Sequence, residues 1–481
     1  MSLPLLELAA QGDARIRIQP AASPSLMPAR APAPGEQYRF HFDMTRCIGC
    51  KCCEVACSEQ NNNPPGIRWR RVGEIEAGEF PFTQRFHLSM GCNHCLEAAC
   101  LHGCPVDAYR KDPVTGLVLH DAEACIGCQY CTWNCPYGVP QFNEERGVVG
   151  KCDMCYGRLE ESRAPACVQA CPEQAIQIEL VNIDAWKQDY AAQANAPGMP
   201  SAQTTLSTTR ITLPAEDQLE FQKADYHRVR PESPHWPLVI MLVLTQMSVG
   251  AVASLLGFPS LAGAAVATGA GYLALGASLF HLGRPIFAWR ALRMWRRSWL
   301  SREVLCFSLF AAFTSVYGGA LFLGMPFAAP AGAAAVAAGV AGILSSACIY
   351  RVPARPAWNS WTTMAEFLLT SALLGPLLAG CFVSVNWRWT ALAAAAQFTV
   401  QLAKLVRLGR SAEFELRQSA RLLDNELRPL FLLRLVLLSG ALAPSPFGLF
   451  LAVAGEVMGR YLFFVSVVPR NIAASFFGGT R

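Results

Sequence analysis

The spacing of the cysteines is the feature of this sequence that points most directly to a chemistry. Sixteen of the 20 cysteines form four groups between residues 47 and 171, and three of these groups end in Cys-Pro. Closely spaced thiolates, with a last cysteine that ligates a neighbouring cluster, are typical of cubane iron–sulfur proteins. The groups are Cys47, Cys50, Cys53, Cys57; Cys92, Cys95, Cys100, Cys104; Cys125, Cys128, Cys131, Cys135; and Cys152, Cys155, Cys167, Cys171.

Cross-ligation predicts that the groups work in pairs. If the chain folds as two nested two-cluster modules, each group gives three ligands to one cluster and one ligand to the cluster of its partner. The predicted ligand sets are Cys47, Cys50, Cys53 with Cys171; Cys152, Cys155, Cys167 with Cys57; Cys92, Cys95, Cys100 with Cys135; and Cys125, Cys128, Cys131 with Cys104.

Zinc and disulfides are the alternative roles for these cysteines. Zinc also binds soft thiolates, but a tetrahedral zinc site needs two pairs, and each of these groups has a third thiolate and a remote fourth one. A disulfide framework is typical of small secreted domains, and we expect no secretion signal at the start of this chain. The extra cysteine of the first group, Cys52, is expected to be a thiol without a metal.

The polarity of the chain changes near its middle. Of the 481 residues, 52% are hydrophobic and only 16% are charged. The sequence is polar and rich in Gly, Pro and Cys up to about residue 234, and apolar from Trp236 onwards, which predicts a soluble half followed by a membrane half. The predicted units are a disordered leader (1–36), an iron–sulfur domain (37–189), a linker (190–234), a membrane anchor (235–470) and a cytoplasmic tail (471–481).

Apolar runs in the second half suit membrane-spanning helices, since such a helix needs about 20 apolar residues. The predicted spans are 236–257, 261–282, 304–325, 328–350, 361–383, 389–406, 428–443 and 446–468. Short strands are expected beside the cysteine loops, at 85–89, 116–120 and 175–180. The predicted fold is an α+β ferredoxin-like four-cluster domain followed by an all-α polytopic membrane domain of about eight transmembrane helices.

The placement of arginine predicts the orientation of the chain, because short loops rich in Lys and Arg stay in the cytoplasm. Arginines are frequent in the loops after the second, fourth and sixth predicted spans, whereas the opposite loops offer only Arg388. With an even number of spans, this predicts a bacterial inner-membrane protein whose iron–sulfur domain faces the cytoplasm. The same arginines account for the formal net charge of +5 without nucleic acid as a partner.

Short motifs occur in both halves of the chain. They are Cys-Ile-Gly-Cys at 125–128, Lys-Cys-Asp-Met-Cys at 151–155, Cys-Val-Gln-Ala-Cys-Pro at 167–172, His-Trp-Pro-Leu at 235–238, His-Leu-Gly-Arg-Pro at 281–285 and Ser-Trp-Leu-Ser-Arg-Glu at 298–303. Through these motifs the first half resembles the four-cluster iron–sulfur subunit, and the second half the membrane-anchor subunit, of the dimethyl sulfoxide reductase family of molybdoenzymes. Relatives that build a three-iron cluster carry tryptophan at the position of Cys128, so the resemblance implies four [4Fe-4S] clusters here.

The resemblance also implies a heterooligomer. A separate subunit would hold bis-molybdopterin guanine dinucleotide and perform the catalysis, so we expect no catalytic residue of that reaction in this chain. This chain would relay electrons between that subunit and ubiquinone or menaquinone in the membrane.

A quinone site must exchange protons, and three residues are candidates for it. His281, Glu303 and Arg284 flank the connection between the second and third predicted spans, and histidine and intramembrane carboxylates are natural proton carriers. The alternative is structural, with His281 capping a helix and Glu303 paired with Arg302 or Arg284.

The predicted function is electron transfer and membrane anchoring in a quinone-linked molybdoenzyme. Dimethyl sulfoxide respiration of the familiar type places its catalytic subunit outside the inner membrane, so the cytoplasmic orientation favours a sulfite dehydrogenase. Dimethyl sulfoxide, polysulfide or thiosulfate reduction with menaquinol is the alternative, and a self-standing redox-driven ion transporter is a further one. Charged residues in other spans are expected to be structural, with Glu456 and Arg460 neutralising each other on one helix face.

Overall fold

The computed structural model describes residues 26–78, 84–196, 199–214, 221–223, 229–442 and 445–470. These residues form an N-terminal α+β domain and a C-terminal helical half. Most of the predicted leader and the whole predicted tail lie outside the described residues. The end of the leader is packed, because Leu26 and Met27 contact the core of the N-terminal domain and Leu26 accepts a backbone hydrogen bond from Ile178.

Short strands form four small sheets in the described part of the N-terminal domain. Their order is β8-β1-β9 in one sheet and β10-β2-β3 in a second, and the others are the hairpins β4-β5 and β6-β7. The predicted strands at 85–89, 116–120 and 175–180 are confirmed by β3, β5 and β8. The strands are β1 (Glu36–Asp43), β2 (Arg71–Ala77), β3 (Gln84–Met90), β4 (Tyr109–Lys111), β5 (Val118–His120), β6 (Gln141–Asn143), β7 (Val148–Gly150), β8 (Ile176–Asn182), β9 (Arg210–Thr212) and β10 (Phe221–Lys223).

Antiparallel pairing brings distant cysteine groups together. Strand β1 pairs along its length with β8, so that Phe40 lies opposite Ile178. Since β1 leads directly to Cys47 and β8 directly follows Cys171, the first and last groups meet at one end of this sheet. The hairpin β4-β5 likewise returns the chain from Cys104 to Cys125, because its two strands lie side by side.

Six α-helices in the described residues of the N-terminal domain follow or flank the cysteine loops. Residues with positive φ precede three of them, Lys51 at 60°, Gln129 at 58° and Cys155 at 52°. This left-handed conformation turns the loop sharply, and it lets backbone N–H groups such as that of Gly127 point at a cysteine sulfur, here Cys125 Sγ at 3.4 Å. The helices are α1 (Cys52–Gln60), α2 (Ala99–Gly103), α3 (Tyr130–Asn134), α4 (Tyr156–Glu160), α5 (Ala166–Gln169) and α6 (Ile183–Gln193).

The described part of the predicted linker is largely folded onto the N-terminal domain. Strand β9 lies beside β1 in parallel register. Thr208 is fully buried, and its hydroxyl donates to the carbonyl of Asn93 over 2.7 Å. The small Thr side chains of this segment pack against the cysteine loops.

The C-terminal half consists of nine helices within the described residues, and each predicted span overlaps one of them. Six are long and apolar enough to cross a membrane: α7, α8, α9, α10, α11 and α15. Helix α12 has sufficient length but carries Lys404 and Arg407, and α14 has only 11 residues. The helices are α7 (Trp236–Leu255), α8 (Leu261–Leu279), α9 (Trp299–Phe322), α10 (Ala328–Tyr350), α11 (Trp361–Ala379), α12 (Trp387–Gly409), α13 (Phe414–Asp424), α14 (Arg428–Leu438) and α15 (Pro446–Val465).

Alternate helix ends lie beside the N-terminal domain. The start of α7 at His235, the end of α10 at Tyr350 and the end of α15 at Phe464 all contact Trp133 of that domain. The arginine-rich loop between α8 and α9 also lies on this side, where Arg297 pairs with Asp107 over 3.0 Å. The arginine-rich loops and the N-terminal domain therefore share one side of the helical half.

Small residues and buried charges organise the helical half. Helices α7 and α11 approach so closely that a Cβ on Gly375 would lie 2.2 Å from the backbone of Gly250, the close contact that small residues permit between membrane helices. The two residues expected to neutralise each other, Glu456 and Arg460, are joined through the hydroxyl of Thr370, which lies 2.6 Å from Glu456 and 3.0 Å from Arg460. The nearest cation to Glu456 among the described residues is Arg434 at 3.9 Å, and Arg460 donates to Gln246 over 2.8 Å.

Candidate functional site

Two cavities in the N-terminal domain are each lined by four cysteines drawn from two sequence groups. Their volumes are about 320 Å³ and about 370 Å³, including space open to solvent. Each contains one predicted ligand set, with three cysteines of one group and the last cysteine of another. We call these the first set (Cys47, Cys50, Cys53, Cys171) and the third set (Cys92, Cys95, Cys100, Cys135).

The other eight cysteines of the four sequence groups form two further sets. Cys57 is close enough to interact electrostatically with Cys155 and Cys167, and Cys104 is close enough to interact with Cys125. We call these the second set (Cys57, Cys152, Cys155, Cys167) and the fourth set (Cys104, Cys125, Cys128, Cys131). All of these cysteines are free of disulfide bonds.

The four sets form a row that ends at the helical half. Cys53 of the first set is close enough to interact electrostatically with Cys167 of the second set, and Cys152 of the second set with Cys92 of the third. Tyr109 lies between the third and fourth sets. Cys128 of the fourth set interacts through its backbone with the ring of His281, so the fourth set is the one beside the membrane helices.

The geometry of the sets suits a cluster better than a single ion. No three His, Cys, Asp or Glu side chains among the described residues converge closely enough to hold one metal ion. Burial raises the pKa of Cys53 and of Cys57 to about 12, so their thiolates need a compensating positive charge such as iron. An iron–sulfur cluster, when bound, supplies reversible one-electron chemistry.

Aromatic rings fill the junction between the fourth set and the membrane helices. Trp133, which lies between Cys131 and Cys135 in sequence, approaches His235 at 5.1 Å and His281 at 6.1 Å between ring centroids. The rings of three different helix ends complete the arrangement. We call it the aromatic cluster, and its members are Trp133, His235, His281, Tyr350, Trp358 and Phe464.

His281 is positioned to bind a polar ligand in the aromatic cluster. It lies just beyond the end of α8, and its Nε2 atom is buried without a hydrogen-bond partner among the described residues. Burial lowers the pKa of His281 to about 4, although the Cys128 backbone opposes this shift. The ring is therefore neutral, so one of its nitrogens can donate and the other can accept a hydrogen bond.

Glu303 is buried on α9 near the aromatic cluster. Glu303 is 7% exposed, and Tyr130 and Tyr350 are close enough to interact with it electrostatically. Within the described part of the chain Glu303 forms no ion pair. The structural alternative of a pairing with Arg302 is not observed, because the Arg302 guanidinium donates to backbone carbonyls of the loop that precedes α9.

Arg284 contacts the N-terminal domain. Its guanidinium donates to the carbonyl of Ala122 over 3.0 Å and its backbone N–H donates to Ile126 over 3.1 Å. The structure thus brings His281 and Glu303 to the same junction and uses Arg284 to join the two halves.

Three glycines allow the two halves to touch backbone to backbone. A Cβ on Gly283, in the loop after α8, would lie 2.2 Å from the carbonyl oxygen of Gly147. A Cβ on Gly127 would lie 2.3 Å from the same oxygen. Gly127 and Gly147 also have positive φ angles of 69° and 64°, which glycine adopts without strain. This contact fixes the distance between the fourth set and His281.

Sequence reasoning missed several residues of this junction. Tyr130 and Trp133 could have been found from their position inside the third cysteine group, since rings beside cluster ligands pack where the domain meets another surface. Tyr350 carried no signal, because a tyrosine at the end of an apolar span is also typical of a membrane interface.

Comparison with known families identifies both halves. The 4Fe-4S dicluster domain family matches residues 83–180, and the DMSO reductase anchor subunit (DmsC) family matches residues 232–468. The two matches follow each other in the order that the cysteine and hydropathy patterns predict.

Individual relatives match the iron–sulfur half. A component of the anaerobic dimethyl sulfoxide reductase of Escherichia coli is 38% identical over 177 residues, which cover 35% of this chain and 85% of that protein. The corresponding component of the Haemophilus influenzae enzyme is 36% identical over 179 residues, covering 35% and 86%. A sulfite dehydrogenase component of Allochromatium vinosum is 37% identical over 160 residues, covering 29% and 67%. The present protein therefore belongs to the dimethyl sulfoxide reductase family and joins an iron–sulfur electron-transfer subunit to a membrane-anchor subunit in one polypeptide.

Proposed function

We propose that this chain relays electrons through four [4Fe-4S] clusters between a separate molybdopterin-containing subunit and the membrane quinone pool. The observation that carries the proposal is the direct contact of the fourth cysteine set with the anchor, through Cys128, Trp133 and His281. Each of the four sets would hold one cluster, in the order first, second, third and fourth towards the membrane. The row lies within the proposed iron–sulfur domain, 37–189, and the proposed anchor, 235–470, starts beside the fourth set.

We further propose that quinone binds at the aromatic cluster. The unpartnered Nε2 of His281 can form a hydrogen bond to a quinone oxygen. Glu303, buried without an ion pair among the described residues, can hold or release the proton that accompanies each electron at a carboxylate oxygen. The rings of Trp133 and Trp358 provide the apolar walls that suit a quinone head group.

The orientation of the chain supports a cytoplasmic iron–sulfur domain and a cytoplasmic catalytic partner. The arginine-rich loops lie on the same side of the helices as that domain, as the charge rule requires for the cytoplasmic side. We therefore propose sulfite oxidation coupled to quinone reduction. The identity to the dimethyl sulfoxide reductase relatives favours the alternative, reduction of dimethyl sulfoxide or a related acceptor with quinol.

Membranes from a strain that lacks this gene test the substrate. Sulfite-dependent quinone reduction that disappears with the gene supports sulfite oxidation, whereas loss of dimethyl sulfoxide or polysulfide reduction supports the alternative. Gentle solubilisation tests the partner, because a large molybdenum-containing subunit should purify with this chain. A chain that purifies alone, with redox-driven ion transport intact, would favour the self-standing transporter.

The variant His281→Ala tests the quinone site. We expect quinone-coupled electron transfer to fall at least about fivefold, since a hydrogen bond to a buried ligand contributes about 1–3 kcal/mol. Iron and acid-labile sulfide should remain at wild-type levels. The exposed His102 on α2 offers a control, and His102→Ala should leave transfer unchanged. Wild-type transfer in His281→Ala would remove His281 from the site.

A further inference from the structure

Two basic side chains lie deep inside the row of cysteine sets. Arg70 is 2% exposed and Lys151 is 3% exposed. Burying a charge is strongly unfavourable unless other groups compensate for the lost hydration. Neither residue forms an ion pair with a carboxylate among the described residues. The Arg70 guanidinium lies 4.4 Å from the centroid of the Phe40 ring, and the other neighbours of both side chains are hydrogen-bond acceptors and cysteines.

Lys151 lies at the junction of the second and third sets. Its Nζ atom donates to the carbonyls of Val118 and Cys152, and it lies 3.8 Å from the sulfur of Cys92. Three acceptors around one Nζ engage the three N–H groups of an ammonium ion. Cys152 belongs to the second set and Cys92 to the third, so a full positive charge lies between them.

Arg70 lies at the junction of the first and second sets. Its Nη1 atom donates to the hydroxyl of Ser89 over 3.2 Å, and that hydroxyl is 3.3 Å from Cys53 of the first set. Cys167 of the second set is also within electrostatic reach. The Nε and Nη2 atoms are buried and have no protein partner in the described part of the chain. Their N–H groups therefore remain for cluster sulfur.

The junction of the third and fourth sets is different in kind. Tyr109 occupies it, 3% exposed, within reach of Cys100 on one side and Cys131 on the other. Its hydroxyl is a neutral dipole, whereas the other two junctions hold full charges. The row is thus electrostatically graded, with cations at the two junctions farthest from the membrane.

We propose that Arg70 and Lys151 act as fixed charges that raise the reduction potentials of the first, second and third clusters relative to the fourth. The inference rests on the proposed function, since it requires clusters in the four sets. Adding an electron to a cluster adds a negative charge, which a neighbouring cation stabilises. The same cations offset the repulsion between added electrons on adjacent clusters, so that two adjacent clusters can both be in the reduced state.

The size of the effect follows from Coulomb's law. At an effective dielectric constant of about 20, a unit charge about 8 Å from the cluster centre changes the ratio of reduced to oxidised cluster roughly thirtyfold at a fixed potential. Partial screening reduces this figure, so we expect at least a tenfold change, which corresponds to about 59 mV for one electron.

Redox titration of the membrane-bound enzyme, followed by electron paramagnetic resonance, tests the proposal cluster by cluster. Lys151→Met should lower the reduction potentials of the second and third clusters, so that their ratio of reduced to oxidised cluster at a fixed potential falls at least about tenfold. The reduction potential of the fourth cluster should stay unchanged. Arg70→Met should do the same to the first and second clusters. The charge-preserving Lys151→Arg and Arg70→Lys should stay near wild type. Arg85→Met removes a 59%-exposed charge and should shift no cluster.

The outcomes separate this inference from the proposed function. Wild-type protein without iron and acid-labile sulfide overturns the proposed function itself. Clusters that are present but do not shift in the methionine variants overturn the electrostatic role alone. If Lys151→Met fails to assemble, the comparison of Arg70→Met with Arg70→Lys carries the test, and equal potentials in that pair overturn the inference. A uniform shift of all four clusters also overturns it, because a fixed charge acts most on its neighbours.

Discussion

Replacing Gly283 with alanine tests how closely the two halves of the chain must dock. A Cβ at this position would lie 2.2 Å from the carbonyl oxygen of Gly147 and 2.6 Å from its carbonyl carbon, whereas ordinary contact begins near 3.4 Å. The obstacle is backbone and cannot rotate away. Gly283 does not have a positive φ, so the substitution adds a steric conflict without backbone strain.

The expected magnitude follows from the crowding. Relieving it requires the interface to open by about 1 Å, and overpacking of this kind costs about 1–3 kcal/mol. The equilibrium constant for docking of the N-terminal domain on the helical half should therefore fall about 5- to 150-fold. Two backbone hydrogen bonds lie in the same contact, Gly283 to Gly127 at 3.3 Å and Arg284 to Ile126 at 3.1 Å, and both weaken as the interface opens.

Rapid mixing of membranes with a quinol analogue measures the consequence, as the rate at which the clusters become reduced. Gly283→Ala should slow this step at least about fivefold while iron content is unchanged, because the crowding weakens docking without touching a cysteine. Gly276→Ala, on α8 with open space around its Cα, is the matched control and should behave as wild type. A wild-type rate in Gly283→Ala, or equal slowing in the control, would refute the reasoning.

Three further substitutions probe other parts of the molecule. Glu303→Gln keeps the shape of the side chain but removes its proton, so quinol oxidation should slow about hundredfold at constant iron content; an unchanged rate would exclude Glu303 from proton transfer. Lys404→Met leaves the buried Glu366 without its ion-pair partner at 3.0 Å, and it should lower the free energy of unfolding by about 3–5 kcal/mol in a denaturation assay. The double variant with Glu366→Leu should recover most of this stability, and a double variant as unstable as the single one would contradict the reasoning. Gly375→Ala places a Cβ 2.2 Å from the facing helix and should lower the melting temperature of the anchor, whereas Gly269→Ala should not; equal melting temperatures would show that the helices can separate at little cost.

The arginines of the loop between α8 and α9 illustrate the limit of pattern reasoning. Their number predicted which side of the membrane the loop occupies, a rule that treats them as equivalent charges. In the structure Arg284, Arg290 and Arg297 each bind a specific group of the N-terminal domain. They therefore have a docking role that a count of charges could not reveal.

The predicted linker shows that composition alone does not determine the conformation of a segment. Its small polar residues are typical of a flexible joint, yet the hydroxyl of Thr205 lies 3.1 Å from the sulfur of Cys95. Composition describes what a segment could do alone, whereas its conformation here depends on partners more than a hundred residues away in sequence.

Local patterns were enough to indicate the chemistry of this protein, because ligand spacing and long apolar runs are properties that a chain carries whatever its fold. Cysteine spacing indicated iron–sulfur clusters, and hydropathy located the membrane helices. The folded molecule alone reveals that Trp133 meets His281 and that glycine backbones set the distance between the two halves. These features depend on side chains and backbones from remote segments meeting in space, and no local pattern encodes such a meeting.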